Sequence, residues 1–159
     1  MTTPLGQGSS TWARTSHLAS LEWGMSRKKV LALFADARVY PKYEGRNPRT
    51  GEPVVVRESI ALPSSPAPIP ELGVFASVMF DDGGQLDSIT LKSAYPRPAD
   101  VTADLMLQAA NKVMAALDAE PLTALPAKPL TWKRKHTRVV LECDDDGFWF
   151  ELSPVTANH

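Results

Sequence analysis

Between Val74 and Leu117 the apolar residues change their spacing from two to four, and that switch constrains the possible folds more than any other feature of the chain. Val74, Ala76, Val78 and Phe80 alternate with Phe75, Ser77 and Met79, the period of a strand with one buried face. Asp81-Asp82-Gly83-Gly84 follows, and Asp-Gly or Gly-Gly supplies the positive φ of a tight hairpin before Leu86 to Leu91 returns. From Asp100 to about Ala119 the repeat is Val101, Leu105, Ala109, Val113 and Leu117, with Met106, Ala110 and Met114 alongside. That period predicts a helix lying flat on a sheet and closed by Pro121.

The flanking segments extend the pattern. Ser26, after Trp23-Gly24-Met25, can cap a short helix ending near Asp36, with Met25 and Val30 forming a hydrophobic staple and Val30, Leu31, Leu33 and Phe34 its apolar face. Val54 to Ile60 reads as a strand, and Thr131 to Cys143 pairs with Phe148 to Leu152 across the turn Asp144-Asp145-Asp146-Gly147. The proline-rich runs 63–70 and 121–129 cannot be central strand or helix interior, so they are linkers or edge passages. The order helix, strands, hairpin, helix, hairpin predicts an α+β fold, a two-layer sandwich with two helices on one face of a mostly antiparallel sheet.

A length of 159 residues fits one core, expected over 21–155, with 1–20 a flexible N-terminal arm unless Trp12 and Leu18 tie it down. The net charge of -1 gives no reason to expect a polyanion or a membrane as partner, although residues 1–70 hold 9 cations against 5 anions and the remainder 8 against 13. A single cysteine, Cys143, excludes an intrachain disulfide. With no signal-like N-terminus and no long apolar run, the expected location is the cytoplasm, away from any membrane.

Catalytic and metal-binding patterns are weak. On one continuous strand His136 and Cys143 point to opposite faces, so no thiol–imidazole dyad forms, and the cysteine is expected to be a buried structural one. His17, His136 and His159 lack metal-ligand spacing, and the aspartate runs read as hairpin turns rather than calcium loops. No phosphate-cradling glycine loop is present, so neither a cofactor nor an enzymatic activity is expected.

Two groups suit a protein interface. On a continuous strand, Lys133 and Lys135 share one face, with Trp132, Arg134 and His136 on the other, where they could grip a partner or simply guard a strand edge. Trp149, if it faces outward with Glu151, is a natural anchor, since tryptophan is enriched among interface hot spots.

Trp23-Gly24-Met25-Ser26 leading a short helix with Val30, then Ala-Glu-Pro before Trp132, Thr137 and Val139 to Leu141, resembles a family pattern. It is that of small bacterial α+β modules such as the outer-membrane assembly lipoprotein, the β-lactamase inhibitory protein and toxin-immunity proteins. The resemblance implies a non-enzymatic domain that binds another protein through its sheet face or loops. A second, shorter stretch, Gly45-Arg46-Asn47-Pro48-Arg49-Thr50-Gly51-Glu52-Pro53, is similar to the DNA-binding arm of the HU and IHF nucleoid proteins. It implies a β-ribbon with Arg46, Asn47 and Arg49 in the minor groove and Pro48 wedged between base steps. The ordinary alternative is a polar hairpin loop. The expected function is thus a protein-binding module of the inhibitor, immunity or adaptor type, with a DNA-binding ribbon as the alternative.

Overall fold

A computed structural model describes Leu5, Trp12 and residues 16–63 and 66–155, without the side chains at 42, 44 and 55–57. A 3-10 turn, His17–Ser20, precedes helix α1, Arg27–Leu33. Strands β1 (Arg38–Arg46), β2 (Pro53–Ala61), β3 (Val74–Phe80) and β4 (Leu86–Ser93) follow. Helix α2 (Ala103–Ala116) then leads into β5 (Leu130–Arg134), β6 (Thr137–Asp144) and β7 (Gly147–Pro154). The strands form one sheet in the order β1-β2-β3-β4-β7-β6-β5, with every neighbour antiparallel. The molecule is the two-layer α+β sandwich that the change of period predicts. Each helix leads a meander, and the second meander runs back on the first, so that β7 closes against β4 at mid-sheet.

Strand alternation creates the core. One cross-strand row, Val39, Ile60, Val78, Ile89, Leu152, Val139 and Trp132, spans all seven strands and is buried at its centre. Against this face α2 buries Met106, Ala109, Ala110, Val113 and Met114, its alanines allowing close approach to the sheet. Phe148 and Phe150, edge to face at 5.7 Å, fill the space under β7. The Thr102 hydroxyl caps α2 by accepting from the Leu105 N–H at 3.2 Å.

The helix ends differ from expectation. α2 stops at Ala116, because Asp118 adopts a left-handed conformation (φ 56) and the Ala119 N–H returns to the Met114 carbonyl at 2.9 Å, well before Pro121. In α1 the Ser26 cap and the buried staple pair Met25 and Val30 are present. That helix ends at Leu33, whose side chain is 48% exposed rather than part of an apolar face.

Two strands were not legible as such. β1 contains Pro41, which an edge strand tolerates because its outward N–H positions bond to no neighbour. Thr131 to Cys143 is not one strand: the chain reverses at Lys135, which adopts φ 54, making an additional hairpin from β5 and β6.

The proline-rich passages are docked. The Trp12 indole donates to the Pro66 carbonyl at 2.8 Å, and the His17 ring bonds the Pro63 carbonyl. Trp12 and Leu18 are both buried, so the tether that the arm reading made conditional exists at those two side chains. Asn111 holds Leu122 through two hydrogen bonds, fixing the passage that follows α2.

Candidate protein-binding face of the sheet

Both helices pack on one side, which leaves the other side of the sheet open, as antiparallel sheets permit. Its rows follow from the register. Phe75, Lys92, Trp149 and Glu142 are cross-strand neighbours on β3, β4, β7 and β6. The next row runs Ser77, Thr90, Glu151, Val140 and Thr131. Trp149 therefore does face outward with Glu151, on the central β4–β7 seam.

Around Trp149 the surface is concave. A depression of about 350 Å³ is lined by Thr90, Lys92, Tyr95, Asp144, Trp149 and Glu151, among others. The Trp149 indole N–H donates to a Glu142 carboxylate oxygen at 2.7 Å, which fixes the ring before any partner arrives. Tyr95, 65% exposed beyond the end of β4, forms another wall, with the Lys92 ammonium 5.3 Å from its ring centre. Phe75, 50% exposed, extends the aromatic row toward β3. Glu151 and Asp144 line the depression, with Lys92 the cation among its lining residues; Glu142 is held by the Trp149 indole, and Asp145 and Asp146 follow Asp144 in the turn.

Its floor depends on a close contact. The buried Ser93 hydroxyl accepts the Phe148 N–H at 3.0 Å, and a Cβ on Gly147 would stand 2.4 Å from that same oxygen. The turn beside it is closed by Asp144, whose Oδ1 accepts the N–H groups of Asp146 and Gly147 at 2.8 and 2.9 Å. Asp81 does the same for Gly83 and Gln85, so both aspartate runs serve as hairpin turns.

The basic group at 132–136 is divided. Lys133, opposite Arg138, lies on the open face, whereas Trp132, opposite Val139, packs toward the core. Lys135 and His136 belong to the β5–β6 turn instead of sharing strand faces with their neighbours, and Arg134 pairs with Asp118. The basic run therefore brings only Lys133 to the face that carries Trp149, on β5, with β6 between it and β7.

His136 lies in the turn before β6 and Cys143 near the far end of that strand, roughly 20 Å away at the rise of a strand. Desolvation and the neighbouring Asp144 carboxylate push the half-buried Cys143 thiol up to about 11, which keeps it protonated near neutral pH. Among the described residues no three His, Cys, Asp or Glu side chains lie close enough to hold a metal ion, and no helix is long and apolar enough to cross a membrane.

The ribbon expected at 45–53 exists and extends further than expected. β1 and β2 pair from Arg38–Ala61 to Arg46–Pro53, yet β2 pairs with β3 only at Ile60 and Ala61. Beyond Ser59 the two strands leave the sheet, an arm of roughly 20 Å at 3.3 Å per residue. At its tip Asn47 accepts from the N–H groups of Arg49 and Thr50, and the Arg46 guanidinium donates to the Gly51 carbonyl at 3.0 Å. Asn47 and Arg46 thus shape the turn, while Pro48 and Arg49 are exposed at the end of the arm.

Sequence reading singled out Trp149 and missed Phe75, Lys92 and Tyr95. Phe75 carried a signal, as an aromatic at the outward position of an alternating strand, but its proximity to Trp149 depends on β4–β7 pairing, with Lys92 and Trp149 57 residues apart in the chain. Comparisons with family models, curated proteins and solved structures give no match for this chain.

Proposed function

We propose that the chain is a protein-binding module of the inhibitor, immunity or adaptor type, acting through the open face of its sheet without catalysis. The observation that carries this reading is the pinned, outward-facing Trp149 in a concave site it lines with Tyr95, with Phe75 exposed farther along the same cross-strand row. A half-buried tryptophan with neighbouring aromatics is the composition of an interface hot spot. The likeness to small bacterial inhibitor and immunity modules points the same way.

The test compares tagged wild type with a Phe75→Ser/Trp149→Ser variant, whose circular dichroism and melting temperature establish that it is folded. A defined, near-stoichiometric protein that accompanies wild type and is lost from the variant supports the reading. Equal recovery from both, or saturable turnover of a substrate, contradicts it.

The projecting ribbon favours a second reading, in which Pro48 and Arg49 at its tip engage DNA. Two arginines neutralise few phosphates, so this affinity would be weak and steeply salt-dependent. Fluorescence anisotropy with a short labelled duplex across a salt series tests it. Weakening in both Pro48→Ala and Arg46→Ala/Arg49→Ala supports DNA binding, and indifference to both variants removes it.

A further inference from the structure

Resting on the open-face reading, we propose that the depression around Trp149 receives a cationic side chain, preferentially arginine, from a basic segment of the partner protein. Three features converge. The depression has aromatic walls, Trp149 and Tyr95, and a ring face attracts a cation through its quadrupole. Glu151 and Asp144 line it, while Glu142, Asp145 and Asp146 lie next to these residues in the sheet register and turn. The site already accommodates a cation, because the Lys92 ammonium of the chain itself sits 5.3 Å from the centre of the Tyr95 ring.

Lys92 is then an internal occupant. Its ammonium is strongly hydrated and its stem flexible, so leaving the ring face for water costs little. A guanidinium is planar and less hydrated, stacks on aromatic rings and bonds carboxylates bidentately. An arriving arginine can therefore displace Lys92 from Tyr95 and reach Glu151 or Asp144. The opposite assignment gives Lys92 the role of anchoring an acidic partner. The two make opposite predictions for one substitution, since removing Lys92 removes a competitor in the first case and a contact in the second.

The experiment measures anisotropy of fluorescein-labelled heptapeptides alternating serine with arginine, or serine with glutamate, at about 0.15 M salt, where longer-range charge effects are largely screened. The folded full chain is used as wild type, Lys92→Met, Glu151→Gln and Asp144→Asn, with the Trp149 indole N–H resonance as the local reporter. The arginine peptide should bind at least tenfold more tightly than the glutamate peptide and shift the Trp149 signal. Lys92→Met should tighten it severalfold, and Glu151→Gln combined with Asp144→Asn should weaken it about tenfold.

Weaker arginine-peptide binding in Lys92→Met, or preference for the glutamate peptide with a Trp149 shift, overturns the cation assignment and leaves the open-face reading standing. Absence of a Trp149 shift with both peptides also overturns the assignment. The reading itself is then decided by the co-purification comparison of Phe75→Ser/Trp149→Ser with wild type.

Discussion

Gly147 shows how a single position holds the floor of the site. A methyl group there would meet the Ser93 hydroxyl, and that hydroxyl satisfies a buried N–H. Gly147→Ala is expected to cost about 1–3 kcal/mol through overpacking, and Ser93→Ala about 1–2 kcal/mol through the orphaned Phe148 N–H. Because Ser93→Ala also removes the clashing oxygen, the double variant should lose clearly less than the two together, which a urea double-mutant cycle measures. Full additivity would show that the contact does not govern the turn. Cys143 gives another residue-scale prediction. With its thiol near 11, thiolate at pH 8 is about a hundredfold scarcer than for an ordinary cysteine, and labelling by a disulfide reagent should be correspondingly slow. The same raised value stabilises the fold fully below pH 9, with the contribution lost as pH rises through 11, and Cys143→Ala should lack this alkaline component in a melting series. Local chemistry of this kind was partly legible: Ser26 and the aspartate turns announce themselves by residue type and spacing. The Ser93–Gly147 contact spans 54 residues and leaves no local trace.

Elements whose side chains obey one period were legible, and elements decided by backbone pairing were not. α2 repeats its apolar residues along its whole length, and β3 and β4 alternate around an unmistakable turn, so they follow from the sequence. β1 was hidden by Pro41, since only its place at the sheet edge makes proline acceptable there. The β5–β6 hairpin was hidden because Lys135-His136 is poor turn chemistry, and a non-glycine residue at φ 54 is uncommon. Thr102 at the start of α2 should be worth about 1 kcal/mol as a cap, measurable as the loss in Thr102→Ala. The ribbon makes a different prediction. Its outer part pairs only with itself, so replacing residues 43–56 with a two-residue Asn-Gly turn that closes the Lys42–Arg57 pair should lower the melting temperature by less than about 4 °C, roughly 1 kcal/mol. Collapse of the fold on that truncation would show that the arm is a structural part of the sheet.

Over the whole molecule, two helix-led meanders join at β4 and β7, and that seam brings Lys92 and Trp149 together on the side away from the helices. The cationic excess of the first 70 residues and the anionic excess of the rest acquire a place in this arrangement, with much of the negative charge at the β6–β7 end of the open face. The most direct measurement of the central claim is photo-crosslinking in cells, with a benzoylphenylalanine in place of Trp149 and, as control, in place of Leu33, an exposed side chain on α1. Position 149 should give one discrete protein adduct that position 33 does not. Adducts at both positions alike, or at 33 alone, would contradict an interface on the open face of the sheet.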